Sequence, residues 1–225
     1  EAGHKVIYGA IDVRSIRRWR KWGIENKKID GVNVYAINIP AGRMPELIMR
    51  KIRVLGLNIL YNKILNEQGK PDVMHAHFTN IGYTASQLKQ EINIPLVITE
   101  HLSSMMNSNI DKRLFETASY AYQNADALIT VSPELKNVIR KRFNKDAIYI
   151  PNIVDTSLFD YSSKNSDGIF RFVSIGRLIE SKRMDLTIEA FYRAFGNNSK
   201  VTLTIFGQGP ERKKLEHLIN KYNLK

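Results

Sequence analysis

Two patterns of apolar and polar positions alternate along this chain. Short runs rich in Val and Ile recur at 5–11, 32–38, 72–77, 96–99, 127–132, 147–150, 170–175 and 201–206. Most show little alternation between apolar and polar positions, as suits strands buried on both faces. Between many of them, apolar residues return every three or four positions instead. Met184, Ile188, Phe191 and Phe195 follow that spacing, as do Ile48, Ile52, Leu55 and Ile59. Segments 114–125 and 133–143 are helical by composition, and Ser132-Pro133 is a good helix start. Strands alternating with helices predict an α/β fold with a parallel sheet.

The alternation is interrupted once. After Pro151-Asn152 comes a polar stretch that contains Ser162-Ser-Lys-Asn-Ser-Asp-Gly168. A new strand–helix–strand–helix series then begins. The expectation is one α/β unit over residues 1–155, a linker over 156–168, and the beginning of a second unit over 169–225. The start, Glu1-Ala-Gly-His-Lys-Val6, reads as a helix end running into a strand, and the chain stops just after a helix. It is expected to be a fragment truncated at both ends.

Composition narrows the classes. With 225 residues, 43% of them apolar, a sizeable core is within reach. No apolar run approaches the roughly 20 residues of a membrane span, and no secretory signal is visible. The chain has no Cys, which excludes disulfide frameworks and thiolate metal sites and fits a cytoplasmic location. The net charge of +12 favours anionic partners: nucleic acid, anionic lipid or phosphorylated small molecules. The densest cluster is Ser15-Ile-Arg-Arg-Trp-Arg-Lys-Trp22, beside Arg14; Met49-Arg-Lys-Ile-Arg53 is a second. Cations interleaved with Trp suit a solvated segment, a membrane surface or stacking on nucleobases. No helix-turn-helix or RNA-binding signature accompanies them, and nucleic acid is not expected as a partner.

Four constellations could carry chemistry. In Ile175-Gly-Arg-Leu178, followed by Lys182, an apolar strand ends in a Gly-Arg turn and an amphipathic helix follows. That places Arg177 and Lys182 near a strand's carboxyl end and a helix's amino end, a natural site for phosphate or diphosphate. In Pro71-Asp-Val-Met-His-Ala-His77, His75 and His77 share one strand face, and Leu96-Val-Ile-Thr-Glu-His101 is another strand ending in His. Three of the five histidines thus fall at equivalent ends of two strands, where open α/β sheets bind ligands. Zinc is one reading of His-x-His, but it needs a further ligand, and Glu100 is expected to face away from His101. Donors and acceptors lining a cleft is another. Phe206-Gly-Gln-Gly-Pro210 reads as a tight turn or a weak phosphate cradle. Asp-x-Asp and Gly-x-Ser-x-Gly are absent.

Taken in order, the chain resembles the retaining GT-B enzymes of glycosyltransferase family 4. The matching segments are Gly3-His-Lys-Val6, Pro71-Asp-Val-Met-His-Ala-His77, Pro95-Leu-Val-Ile-Thr-Glu-His101, Ala125-Asp-Ala-Leu-Ile-Thr-Val-Ser132, Ile150-Pro-Asn-Ile-Val-Asp155 with Phe159, Ile175-Gly-Arg-Leu178 with Lys182, and Ile205-Phe-Gly-Gln-Gly-Pro210. The resemblance implies two Rossmann-like domains, the first holding the acceptor and the second the nucleotide sugar. Arg177 and Lys182 match the family's diphosphate-binding pair, whose charge would stabilise the leaving nucleoside diphosphate. His101 matches a His near the transferred sugar, and His77 one at the neighbouring strand end; these are the catalytic candidates. No metal and no cofactor are implied, the nucleotide-diphosphate sugar being the donor substrate.

The implied activity is hexosyl transfer, with retention, to a saccharide or lipid-linked saccharide, in bacterial surface polysaccharide biosynthesis. A cytoplasmic protein with peripheral contact to an anionic inner membrane surface follows from the same resemblance and from Arg14–Trp22. A related GT-B sugar-nucleotide enzyme, an epimerase or phosphorylase, is the first alternative, and a basic nucleic-acid-binding module the second. There are departures. The family's first strand and Gly-rich loop should precede Glu1, and its spaced glutamate pair should lie beyond Lys225, so the fragment alone is expected to be inactive. Arg183 and Ile153 stand where the family often has Gly.

Overall fold

The computed structural model describes residues 3–15, 22–41, 44–159 and 167–224. The Val- and Ile-rich runs are strands, and the three-to-four-spaced segments between them are helices. In chain order the elements are β1 (Ile7–Arg14), β2 (Gly23–Ile29), β3 (Val32–Pro40), α1 (Glu46–Gln68), β4 (Met74–His77), α2 (Thr79–Lys89), β5 (Leu96–Glu100), α3 (Lys112–Asn124), β6 (Ala127–Thr130), α4 (Pro133–Phe143) and β7 (Ile148–Tyr149). After residue 155 come β8 (Phe170–Ile175), α5 (Met184–Phe195), β9 (Val201–Phe206) and α6 (Arg212–Lys221). The chain divides into two units, Glu1–Val154 and Asp155–Lys225. Of the expected linker, residues 160–166 lie outside the described residues, and Thr156–Leu158 forms a single 3-10 turn.

In the first unit, β4, β5, β6 and β7 pair side by side, all parallel. Their central strands are as dry as the sequence requires: Leu96 and Ile98 are fully buried, and Leu128 nearly so. Helices α2, α3 and α4 add Ala85, Ala118, Ala121, Tyr122, Leu135 and Ile139 to that core. Fully burying one such Leu or Ile side chain stabilises the fold by about 1.5–3 kcal/mol. The helices start where the sequence supplies caps. Asp111 accepts from the amides of Arg113 and Leu114 at the head of α3, and Ser132 from that of Leu135 at the head of α4, with Pro133 in the first turn. Asn144, left-handed at φ 49°, ends α4.

The remaining strands of this unit make a second sheet, ordered β1-β3-β2. Its β1 and β3 are parallel, but β2 runs antiparallel to β3. The parallel-sheet expectation did not include this strand. Asp30 and Gly31 turn the chain with φ of 48° and 83°, the paired positive values that a two-residue hairpin turn needs to match strand twist. The β2 run, Gly-Ile-Glu-Asn-Lys-Lys-Ile, is polar and mostly exposed. Charged side chains of this kind blunt an edge strand against further pairing. Helix α1 packs on this sheet, with Leu60 buried beside Tyr35 and Ile37.

In the second unit, β8 and β9 pair in parallel from Phe170↔Val201 to Ile175↔Phe206. Helices α5 and α6 contribute Met184, Ile188 and Leu215 to a small core with Leu178.

Candidate active site

Parallel pairing places His77 beside Thr99, so β4 and β5 end level with one another. The three strand-end histidines gather there. The rings of His75 and His77 stack with centroids 4.5 Å apart, and those of His77 and His101 at 5.3 Å. His77 Nδ1 lies 3.0 Å from His101 Nε2, and His75 Nε2 lies 2.7 Å from Thr99 Oγ1. One of the two facing nitrogens of His77 and His101 must carry the proton and the other accept it. The pair therefore holds at most one extra proton without losing its bond. Burial, then the neighbouring rings of His77 and His101, hold His75 below its ordinary value. Burial first, and His101 second, do the same for His77.

The turn that carries His101 is tied down from beneath. Glu100 is completely buried, and its carboxylate points into the protein. One oxygen accepts from the amides of His101 and Leu102, at 2.9 and 2.7 Å. The other accepts from the hydroxyls of Tyr122, at 2.7 Å, and Thr79. Among the described residues it makes no ion pair. Four donors stand in for water and a countercharge, the arrangement a buried anion requires. Burial, and then the Glu100 carboxylate, push the Tyr122 hydroxyl well above its ordinary range, so it remains a donor. The sequence hinted at this only through the inward-facing Glu100; its partners Thr79 and Tyr122 are 21 and 22 residues away.

Between His77 and Thr79 sits Phe78, with φ 69° and ψ 150°. That region is essentially reserved for Gly, and holding another residue there costs about 1–3 kcal/mol. Bonds on both sides enforce it: the Phe78 amide donates to Thr99 O, and its carbonyl accepts from Gly82, both at 2.9 Å. Its ring remains half-exposed and lies 4.9 Å from that of His101. Nothing in the sequence marks this conformation.

In the second unit, the strand-end loop after β8 carries Arg177 and Lys182. Successive tight turns close it: Ile179 donates to Arg177 O, Lys182 to Ile179 O, and Arg183 to Glu180 O, at 2.9–3.0 Å. Arg183 is left-handed at φ 47°, where the family often has Gly, and it pairs with Asp185. The Gly207-Gln208-Gly209 turn lies directly against the same loop. Leu178 donates to Gln208 O at 2.9 Å and Glu211 to Leu178 O at 3.1 Å. A Cβ on Gly207 would overlap the carbonyl oxygen of Gly176, and one on Gly209 that of Leu178. The two glycines thus let one backbone seat another and hold the Arg177 loop in place. Arg171, Arg183, Arg193, Arg212 and Lys214 of this unit all make ion pairs. Arg177 and Lys182 are exposed and, among the described residues, make neither an ion pair nor a side-chain hydrogen bond.

The structure thus brings His75, His77 and His101 together on the first unit, and Arg177 with Lys182 into one loop of the second. Glu100 faces away from the His101 ring, as expected. Among the described residues no group of three or more His, Cys, Asp or Glu side chains is placed to hold a metal ion. Residues 16–21 of the basic Trp cluster lie outside the described residues; of its flanks, Arg14 pairs with Asp12, and Trp22 is 67% exposed. No helix among the described residues is long and apolar enough to cross a membrane.

Comparison with known proteins agrees with this architecture. The family model "Glycosyltransferase Family 4" matches residues 8–158, and "Glycosyl transferases group 1" matches residues 159–225. An uncharacterised glycosyltransferase of Methanocaldococcus jannaschii is 34% identical over 97% of this chain and 57% of its own length. A glycogen synthase of Mycobacterium tuberculosis is 26% identical over 64% of this chain and 37% of its own. The chain spans about half the length of the curated relatives it matches. Among solved structures, sucrose-phosphate synthase from Thermosynechococcus elongatus aligns with a TM-score of 0.72 at 18% identity, over 99% of this chain and 59% of that one. HepE from Anabaena, in complex with UDP, aligns with a TM-score of 0.59 at 17% identity, over 85% and 53%. The fold is that of GT-B glycosyltransferases, and the chain belongs to glycosyltransferase family 4.

Proposed function

We propose that the complete protein transfers a hexosyl unit from a nucleotide-diphosphate sugar to a saccharide or lipid-linked saccharide, with retention of anomeric configuration, in bacterial surface polysaccharide biosynthesis. The observation that carries the proposal is a pair of cations, Arg177 and Lys182, that make no ion pair among the described residues and sit in a loop held by the Gly207-Gln208-Gly209 turn. Cations left without carboxylates, at the carboxyl end of a parallel strand, suit an incoming diphosphate. As the sugar–phosphate bond breaks, negative charge grows on the leaving diphosphate. Two positioned cations stabilise that charge more strongly than the charge of the bound donor.

On the first unit, His77 and His101 supply the polar contacts to sugar hydroxyls. Their shared hydrogen bond fixes each ring's orientation, and the Glu100 turn fixes the backbone beneath His101. In this reading neither His is a covalent nucleophile; the departing phosphate assists deprotonation of the acceptor hydroxyl on the same face.

The test is a screen of the complete protein against sugar nucleotides by thermal shift, followed by transfer to candidate acceptors with the product's anomeric configuration read by NMR. Transfer dependent on an acceptor, giving the donor's configuration, is the expected result. Donor epimerisation or phosphorolysis without transfer would overturn it. The lipid-linked acceptor class and peripheral membrane contact draw support from the exposed Trp22 beside the basic cluster. Co-sedimentation with anionic vesicles at low salt tests this; protein remaining in the supernatant would count against it.

A further inference from the structure

Phe78 has no part in the reading above, yet it borders the histidine cluster, against His101, in a conformation that Phe rarely adopts. We infer that the Phe78 ring is a stacking platform for the apolar C–H face of a pyranose ring, with the His77–His101 pair bonding the hydroxyls at its edge. The inference deepens the transferase reading and rests on it.

Three observations converge. First, the ring is 47% exposed although the core lies directly beneath its backbone, where Thr79 and Glu100 are buried. A large aromatic left in water beside polar rings is available for contact rather than packing. Second, its backbone is locked at φ 69° and ψ 150° by hydrogen bonds on either side and by the Thr79–Glu100 contact. Strain of this kind persists only where the surroundings over-determine it, and it gathers at ligand sites. Third, the ring is held by its neighbour. It lies against His101 at 4.9 Å with a 41° tilt, so ring and imidazole present adjoining apolar and polar surfaces. A pyranose offers the matching pair: a face of C–H groups and a rim of hydroxyls. Among the described residues no carboxylate or cation is bonded to the rings of this cluster, which suits a neutral ligand.

The pyranose could belong to the acceptor or be the sugar under transfer, and steady-state kinetics on the full-length protein separates the two. Phe78→Gly removes the ring and relieves the backbone, so the variant should fold with an unchanged or raised Tm. Phe78→Tyr keeps the platform. For the acceptor, Phe78→Gly should raise KM about three- to tenfold, the span of an aromatic contact, and Phe78→Tyr should restore it. If the transferred sugar stacks there, the rise falls on the donor's KM, while affinity for the free nucleoside diphosphate stays constant. A Phe78→Gly protein with raised Tm and both KM values unchanged would overturn the inference and leave Phe78 as strain alone. Transferase failure reads differently: the unaltered protein would show no thermal shift with any sugar nucleotide, and the platform would fall with it.

Discussion

Replacing Tyr122 by Phe tests the buried anion beneath the histidines. The change removes one oxygen from a fully buried side chain and leaves the ring in place. The hydroxyl donates to Glu100 at 2.7 Å and lies 3.1 Å from Thr79 Oγ1. Glu100 would keep three of its four donors, with no cation among the described residues to replace the fourth. A hydrogen bond to a buried charge contributes about 1.5–3 kcal/mol, against about 0.5–1.5 between neutral groups. Tyr122→Phe should therefore lower stability by about 1.5–3 kcal/mol, or roughly 3–12 °C in Tm for a unit of this size. In a Glu100→Gln background the same change should cost only about 0.5–1.5 kcal/mol, because the acceptor is then neutral. Urea unfolding followed by circular dichroism supplies both numbers. Hydrogen exchange supplies a local one, since the His101 and Leu102 amides that bond Glu100 should lose protection. A cost below about 0.5 kcal/mol, or equal costs in the two backgrounds, would refute the claim that an ionised Glu100 organises this turn.

Three further outcomes follow from the geometry. His75 and His77 both titrate below their ordinary 6.5 in the folded protein, so on acidification the unfolded chain takes up protons first. The stability they contribute is full above that value and is lost as pH falls through the folded values. Tm should drop between pH 7.5 and 5, less steeply in His77→Gln; a rise on acidification would contradict this. Gly207→Ala forces a methyl group into Gly176 O and must displace the Arg177 loop. Donor KM should rise at least about tenfold while acceptor KM holds, and an unchanged donor KM would show that the turn does not position the cations. Arg183→Gly relieves a left-handed residue but loses only an exposed, solvent-screened ion pair, so the urea midpoint should be unchanged or raised. A lowered midpoint would place more in the Arg183–Asp185 pair than its exposure allows.

What could be read from the residues follows from how local each signal is. Strands buried on both faces announce themselves as Val- and Ile-rich runs, and β8 and β9 begin and end where those runs do. Strand-end histidines are visible because parallel pairing brings equivalent ends level. Strand β2 was missed because an exposed edge needs no apolar run; the Asp30-Gly31 dipeptide before Val32 was its one signal. The Glu100 hub depends on hydroxyls from α2 and α3, an encounter set by packing rather than by sequence spacing. The strain at Phe78 left no trace either, since nothing about a Phe residue foretells a positive φ. The role of Gly207 and Gly209 was half visible as turn punctuation; that they seat one backbone on another emerges only with the Gly176 and Leu178 carbonyls in place.

The central claim is that Arg177 and Lys182 grip the diphosphate of an activated sugar. Isothermal titration of the full-length protein with its best-binding sugar nucleotide, before and after replacing both residues by Ala, addresses it directly. Each lost charge-assisted contact should cost about 1.5–3 kcal/mol, so the double variant should bind at least about a hundredfold more weakly at unchanged Tm. Binding within threefold of the unaltered protein would contradict the account.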